Sequence, residues 1–139
     1  YSILLTTFIK GKSMSSQVFF QIQSSFILLL MYIGIYYRQF PTRHVKLMVI
    51  TIAWDLILIL QIELSRGAIK KAAHSVVNPT FLTIHISIAV STVLLYFGMI
   101  YTGRKMLQKD YSVHKAHRLM GKTTVMFRTA TYVTSFFVV

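Results

Sequence analysis

The chain has 139 residues, with 15 Lys+Arg against three Asp+Glu, no Cys, and 55% apolar side chains. Only 13% of it is charged, about half the share of a soluble domain, and its mean hydropathy is +0.61. The missing cysteines exclude disulfides, thiolate metal sites and cysteine nucleophiles. The basic residues lie between apolar runs rather than in one stripe, which argues against nucleic acid despite a net charge of +12.

These features predict an all-α fold, a transmembrane four-helix bundle, because a helix of about 20 apolar residues crosses the ~30 Å hydrocarbon core. Tyr1 to Ile9 is apolar but too short to span. Residues 1–16 are therefore expected to be an N-terminal tail, the end of a truncated extra helix or an interfacial piece. The four-helix domain is then 17–139. Its first helix is expected over about 17–37, closing in an aromatic belt of Tyr32, Tyr36 and Tyr37. Pro41 breaks the chain, and Thr42 is placed to cap a second helix over about 43–65. A loop from Arg66 to Val77 follows. Asn78 and Pro79 read as N-cap and first helical position of a third helix, about 79–102. The fourth is expected over about 114–139. Short connections make sequential helices antiparallel neighbours.

Sidedness follows from the cations. Connections 1–2 and 3–4, with the adjoining helix starts, hold nine Lys/Arg; the opposite side holds Lys10, Lys12, Arg66, Lys70 and Lys71. The positive-inside rule places the nine in the cytoplasm, in a bacterial or archaeal cytoplasmic membrane.

Three polar residues interrupt separate apolar runs: Asp55, His85 and Arg128. A charge near the bilayer centre costs roughly 2.5 to 3.5 kcal/mol on insertion scales, so such groups pair or mark function. Helices two and four rhyme. Asp55 comes eleven residues after His44, and Arg128 eleven after His117, which is about three turns and ~17 Å. His44, Met48, Thr51 and Asp55 form one stripe; His117, Gly121, Thr124, Arg128, Thr131 and Ser135 form another. Asp55 and Arg128 are thus expected at one depth, as an intramembrane ion pair that fixes helix register or serves a proton, ion or redox role. His85 is expected near that depth.

His44 and His117 lie at the inner edge on two helices, with His114 one turn before His117. Imidazoles at one depth on facing helices suit haem ligation, and His44, His114 and His117 are the candidate cofactor-binding residues. The same three, with Asp110 nearby in sequence, could also serve a transition metal. The competing reading is an interfacial histidine that touches headgroups or caps a helix. Arg43, Lys46, Arg118 and Lys122 form a positive collar there, which suits a haem propionate or lipid phosphate better than an unaided cation. A metal is expected deeper, where His85 and Asp55 could meet. His74 reads as a loop residue, and the methionines as packing.

Certain motifs resemble those of a known family. Arg43-His44-Val45-Lys46-Leu47-Met48 resembles the His-Lys-x-x-Met opening of a helix in the membrane family called domain of unknown function 420, which includes CtaM-like assembly factors of haem–copper terminal oxidases. Ile84-His85-Ile86-Ser87-Ile88-Ala89 is similar to its His-x-x-Leu-Ala signature. His117-Arg118-Leu119-Met120-Gly121-Lys122, followed by Tyr132-Val133-Thr134-Ser135, resembles its closing stretch. Order and spacing agree from about residue 24 to 139. The resemblance implies a histidine-bearing bundle in oxidase assembly or cofactor handling, with the family's histidines falling on His44, His85 and His117. The chain departs from that pattern at Ile62, Glu63 and Arg66, where the family has a Tyr and a His, and at Arg128, where it tends to have Trp.

No phosphate-binding glycine loop, HExxH or G-x-S-x-G occurs, and three acids leave no paired carboxylates for acid/base catalysis. A standalone hydrolase is not expected. Three functions stay open: an assembly or cofactor-handling factor for a haem–copper oxidase or respiratory complex, a structural accessory subunit of a larger membrane complex, and a b-type cytochrome in electron transfer. The expected partners are the bilayer and other membrane subunits.

Overall fold

A computed structural model describes residues 2–72 and 79–138. Among them there is no strand. Four long helices carry the fold: α1 (Ser2–Tyr36), α2 (Pro41–Ala72), α3 (Pro79–Leu107) and α4 (His114–Val138). Short 3-10 turns at Tyr37–Gln39 and Tyr111–Val113 link them within two compact units, Tyr1–His74 and Ser75–Val139.

The helix ends show local chemistry at work. Phe40 is extended, at φ −110° and ψ 92°, as a residue before proline must be. Its carbonyl accepts from the His44 amide at 2.9 Å, so the N-cap position is Phe40 and not Thr42. Pro41 opens α2 rather than standing before it, since a first-turn proline sacrifices no helical hydrogen bond. At the other end α2 runs seven residues past the expected boundary, through Ala72. The chain Arg-Gly-Ala-Ile-Lys-Lys holds no proline to stop it. Asn78, His74 and the rest of 73–78 lie outside the described residues. In α1 the helix is continuous from Ser2, where the sequence suggested a break near residue 16.

α3 ends in a Schellman motif. The Asp110 amide reaches the Lys105 carbonyl and the Lys109 amide the Met106 carbonyl, both at 3.0 Å. Lys109 takes the left-handed position with φ 63°. A side chain there costs roughly 1 kcal/mol, and glycine is the usual occupant.

Each unit is an antiparallel helix pair. In the first, Gly34 meets Met48 while Gln23 meets Trp54 and Gln61. In the second, Thr102 meets His117, Gly98 meets Met120, His85 meets Thr134, and Phe81 stacks on Phe137. Lipid tails are as apolar as leucine, so such pairs rely on close packing and interhelical hydrogen bonds rather than on the hydrophobic effect. Small residues provide the approach. A Cβ on Gly34 would lie 2.8 Å from the Met48 sulfur, and one on Gly98 2.9 Å from the Met120 sulfur. Met31, Met48 and Met99 are buried, in keeping with methionine as packing.

Three segments are long and apolar enough to cross a membrane: Ser16–Gln39, Pro41–Ser65 and Thr80–Leu107. The chain is an integral membrane protein. α4 has the length, about 37 Å at 1.5 Å per residue, but is not among these apolar spans. Its Lys122, Arg128 and five threonines, from Thr123 to Thr134, make it too polar to face lipid all round.

Candidate functional site

One three-part pattern recurs on α2, α3 and α4: a histidine, a threonine seven residues on, and a buried polar group four residues after that. The sets are His44, Thr51 and Asp55; His85, Thr92 and Tyr96; His117, Thr124 and Arg128. Each set spans about three turns and so occupies one helix face. The threonines are 0%, 2% and 1% exposed, and Asp55, Tyr96 and Arg128 are 1%, 1% and 4% exposed. Each threonine donates to the carbonyl four residues back, Leu47, Ile88 or Met120, at 2.6 to 2.9 Å. That bond satisfies the hydroxyl inside an apolar helix.

The histidines are set by what their Nδ1 atoms meet. In the first unit, His44 Nδ1 lies 2.7 Å from the Gly34 carbonyl. A carbonyl only accepts, so Nδ1 carries the proton and donates it. Gly34 stands in the last turn of α1, whose end carbonyls lack helical partners, and the imidazole caps one of them.

In the second unit the same result comes through hydroxyls. His117 Nδ1 lies 2.8 Å from Thr102 Oγ1. Thr102 Oγ1 also lies 2.9 Å from the Gly98 carbonyl, and with its hydrogen given to that carbonyl its oxygen accepts from the ring. His85 Nδ1 lies 2.8 Å from Thr134 Oγ1, which donates to the Ala130 carbonyl at 2.8 Å. The same assignment of the hydroxyl hydrogen makes the ring the donor there too. These two bonds swap helices: His85 on α3 reaches α4, and His117 on α4 reaches α3. Gly103 leaves room for the His117 ring, whose Cε1 would lie 3.4 Å from an added Cβ.

The Nδ1 of each of the three histidines thus meets an oxygen on the neighbouring helix, which orients the ring. A ligand histidine whose other nitrogen donates to a backbone or hydroxyl oxygen is held in both tautomer and ring orientation. Rings oriented in this way fit a haem or metal one imidazole at a time. They fit a bare metal less well: among the described residues no group of three or more His, Asp or Glu gathers.

Other expected residues fall elsewhere. Within its unit His85 is level with Thr134, six residues beyond Arg128 on α4 or about 9 Å, so it lies nearer the helix end than the sequence suggested. His114 is exposed at the start of α4. Asp110 caps the adjoining turn, accepting from the Ser112 hydroxyl at 2.6 Å and the Ser112 amide at 3.2 Å. Those two bonds hold its carboxyl below the ordinary value of 3.8. Asp55 and His44 belong to the first unit; His85, His114, His117 and Arg128 belong to the second.

One polar cluster escaped the sequence reading. Gln23, on α1, accepts from Trp54 Nε1 at 3.2 Å and donates to Gln61 at 3.3 Å. A glutamine buried within an apolar run and the only tryptophan of the chain were its available signals.

The helices and this set of oriented histidines define an integral membrane helical protein with candidate ligand side chains. No family model, curated protein or solved structure matches the chain.

Proposed function

We propose that this protein handles a cofactor, or assists assembly, for a haem–copper oxidase or related respiratory complex, as its motifs resemble. The observation that supports the reading is that His44, His85 and His117 are each oriented by an Nδ1 contact to an oxygen on the neighbouring helix. These are the three positions where the resemblance expects histidines. A haem iron bound there would gain a neutral nitrogen donor whose orientation the protein has already fixed. His114, exposed one turn before His117, is the outer candidate. Asp55 and His85, the pair expected at a deeper metal, fall in different units, and His85 lies toward the helix end.

The proposal also keeps the nine-cation side in the cytoplasm, other membrane subunits as partners, and Asp55 and Arg128 as mutually compensating charges. The support for that compensation is their matching eleven-residue offset from a histidine and the cost of an isolated charge in lipid.

The test uses the full chain, tagged and extracted in mild detergent from its native membrane. Oxidase subunits should co-purify, and a strain carrying His44→Ala and His117→Ala should lose haem from the oxidase. Unchanged oxidase haem and activity after deletion of the chain would reject the reading. Fixed stoichiometry with the finished oxidase, with no loss of haem in the variants, would favour the structural subunit. A dithionite-reduced alpha band in the purified chain itself would favour the b-type cytochrome.

A further inference from the structure

We propose that the α3–α4 turn and the adjoining outer face of α4 form a binding site for the headgroup of an anionic phospholipid. Lys115, Arg118 and Lys122 follow one another at three- and four-residue spacing and are all exposed, so they make one basic stripe along α4. Exposed Leu119 and Met126 extend the same side of the helix. A long cationic side chain beside apolar neighbours lays its stem on lipid and lifts its charge to the headgroups. In the turn that precedes α4 stands Lys109, also exposed. Across the turn the Lys105 ammonium sits 5.0 Å from the centre of the Tyr101 ring, which fixes its position by a cation–π contact.

Two further observations favour an anion in lipid over a merely solvated surface. The one acid of this turn, Asp110, is engaged by Ser112 as a cap, so its hydrogen-bonding capacity is directed into the turn. Lys109 also occupies the left-handed position where glycine folds more easily. A cation kept at a place that disfavours any side chain is best explained by what its charge does. The apolar span Thr80–Leu107 ends at this turn, which puts the cations at headgroup depth, where an anionic surface attracts each Lys or Arg.

Lys109→Gly separates the two roles of that residue. The substitution relieves the turn while removing a cation. Retained lipid would be counted by native mass spectrometry of the full chain in micelles doped with phosphatidylglycerol or phosphatidylcholine. The wild type should retain phosphatidylglycerol preferentially. Lys109→Gly should melt no lower than the wild type and lose roughly fivefold in that preference, the factor for one surface cation. Lys115→Gln with Lys122→Gln should lose more. Arg38→Gln, in the first unit, carries the same charge change as one of these and should leave the preference intact. An undiminished preference in Lys109→Gly and in the double variant would overturn the proposal. So would an equal loss in Arg38→Gln, which would mean bulk charge, or displacement of the lipid by inorganic phosphate, which would mean a site for the soluble ion.

Discussion

The two helix pairs solve one problem in different ways. Both must hold polar side chains inside an apolar hairpin. In α1–α2 the interhelical bonds use a histidine that caps a carbonyl and a chain of Trp54, Gln23 and Gln61 amide contacts. Both helices remain apolar enough to cross a membrane. In α3–α4 the bonds are two histidine–threonine contacts at opposite ends of the pair, and α4 has so many hydroxyls that it falls short of an apolar span. The first hairpin can face lipid widely with its polar groups paired off between helices. The second carries a helix with a buried polar side, Thr124 and Arg128, and an exposed basic one, Lys115, Arg118 and Lys122. Ligand-type chemistry is concentrated in the second, which has two of the three oriented histidines.

The largest expected effect concerns the buried charges. Removing one partner of a buried ion pair costs about 3 to 5 kcal/mol, whereas replacing both with apolar residues is often tolerated. Asp55→Ala should sharply lower the amount of protein in the membrane, and adding Arg128→Leu should recover part of it. A double variant no better than either single one would show that the two charges do not compensate each other.

Packing comes next, and it contrasts the glycines. Gly34→Ala forces a Cβ to within 2.8 Å of the Met48 sulfur, an overpacking that costs roughly 1 to 3 kcal/mol. In Gly121→Ala the nearest atom, on Met99, is 3.6 Å away, an ordinary contact. Thermal unfolding in detergent should show a clear drop for the first and little change for the second.

Single interhelical hydrogen bonds should matter less. Such bonds average about 0.6 kcal/mol in membranes, so Thr102→Val and Thr134→Val should each destabilise by about that amount. Gln23→Leu breaks two bonds and should cost up to about twice as much. Steric trapping in bilayers resolves differences of this size. If Gln23→Leu were neutral, the first hairpin would not depend on its amide chain.

The smallest effect is the acid response of the α3–α4 turn. Because the Asp110 carboxyl titrates below 3.8 in the folded chain, its cap contributes stability that is present above that unfolded value. The contribution is lost as pH falls through the lower folded value. The turn should be insensitive to pH above about 5 and should loosen only in stronger acid, as seen by amide exchange at Ser112. Asp110→Ala should remove this dependence.

Much of this was legible in the residues. Apolar runs of the right length marked three of the four helices, α4 proving more polar than expected, and Pro79 and His114 marked two starts within a residue. The stripes through His44–Asp55 and His117–Arg128 were visible because their members differ sharply from the lipid-facing residues around them. The third set was harder to read, since Tyr96 is aromatic and blends into an apolar helix until its burial is known. Helix ends were missed where competing signals were weak: no proline closes α2 before Ala72, and Pro41 can begin a helix as readily as end one. The histidine tautomers could not be read at all, because they depend on which hydroxyl or carbonyl lies opposite each ring on the neighbouring helix.

The central claim is that three histidines share one protonation geometry, and nitrogen-15 NMR of the histidine-labelled chain in bilayers at neutral pH tests it most directly. Assigned through His44→Gln, His85→Gln and His117→Gln, every neutral ring should carry its proton on Nδ1. A neutral ring at any of the three positions with its proton on Nε2 would contradict the account.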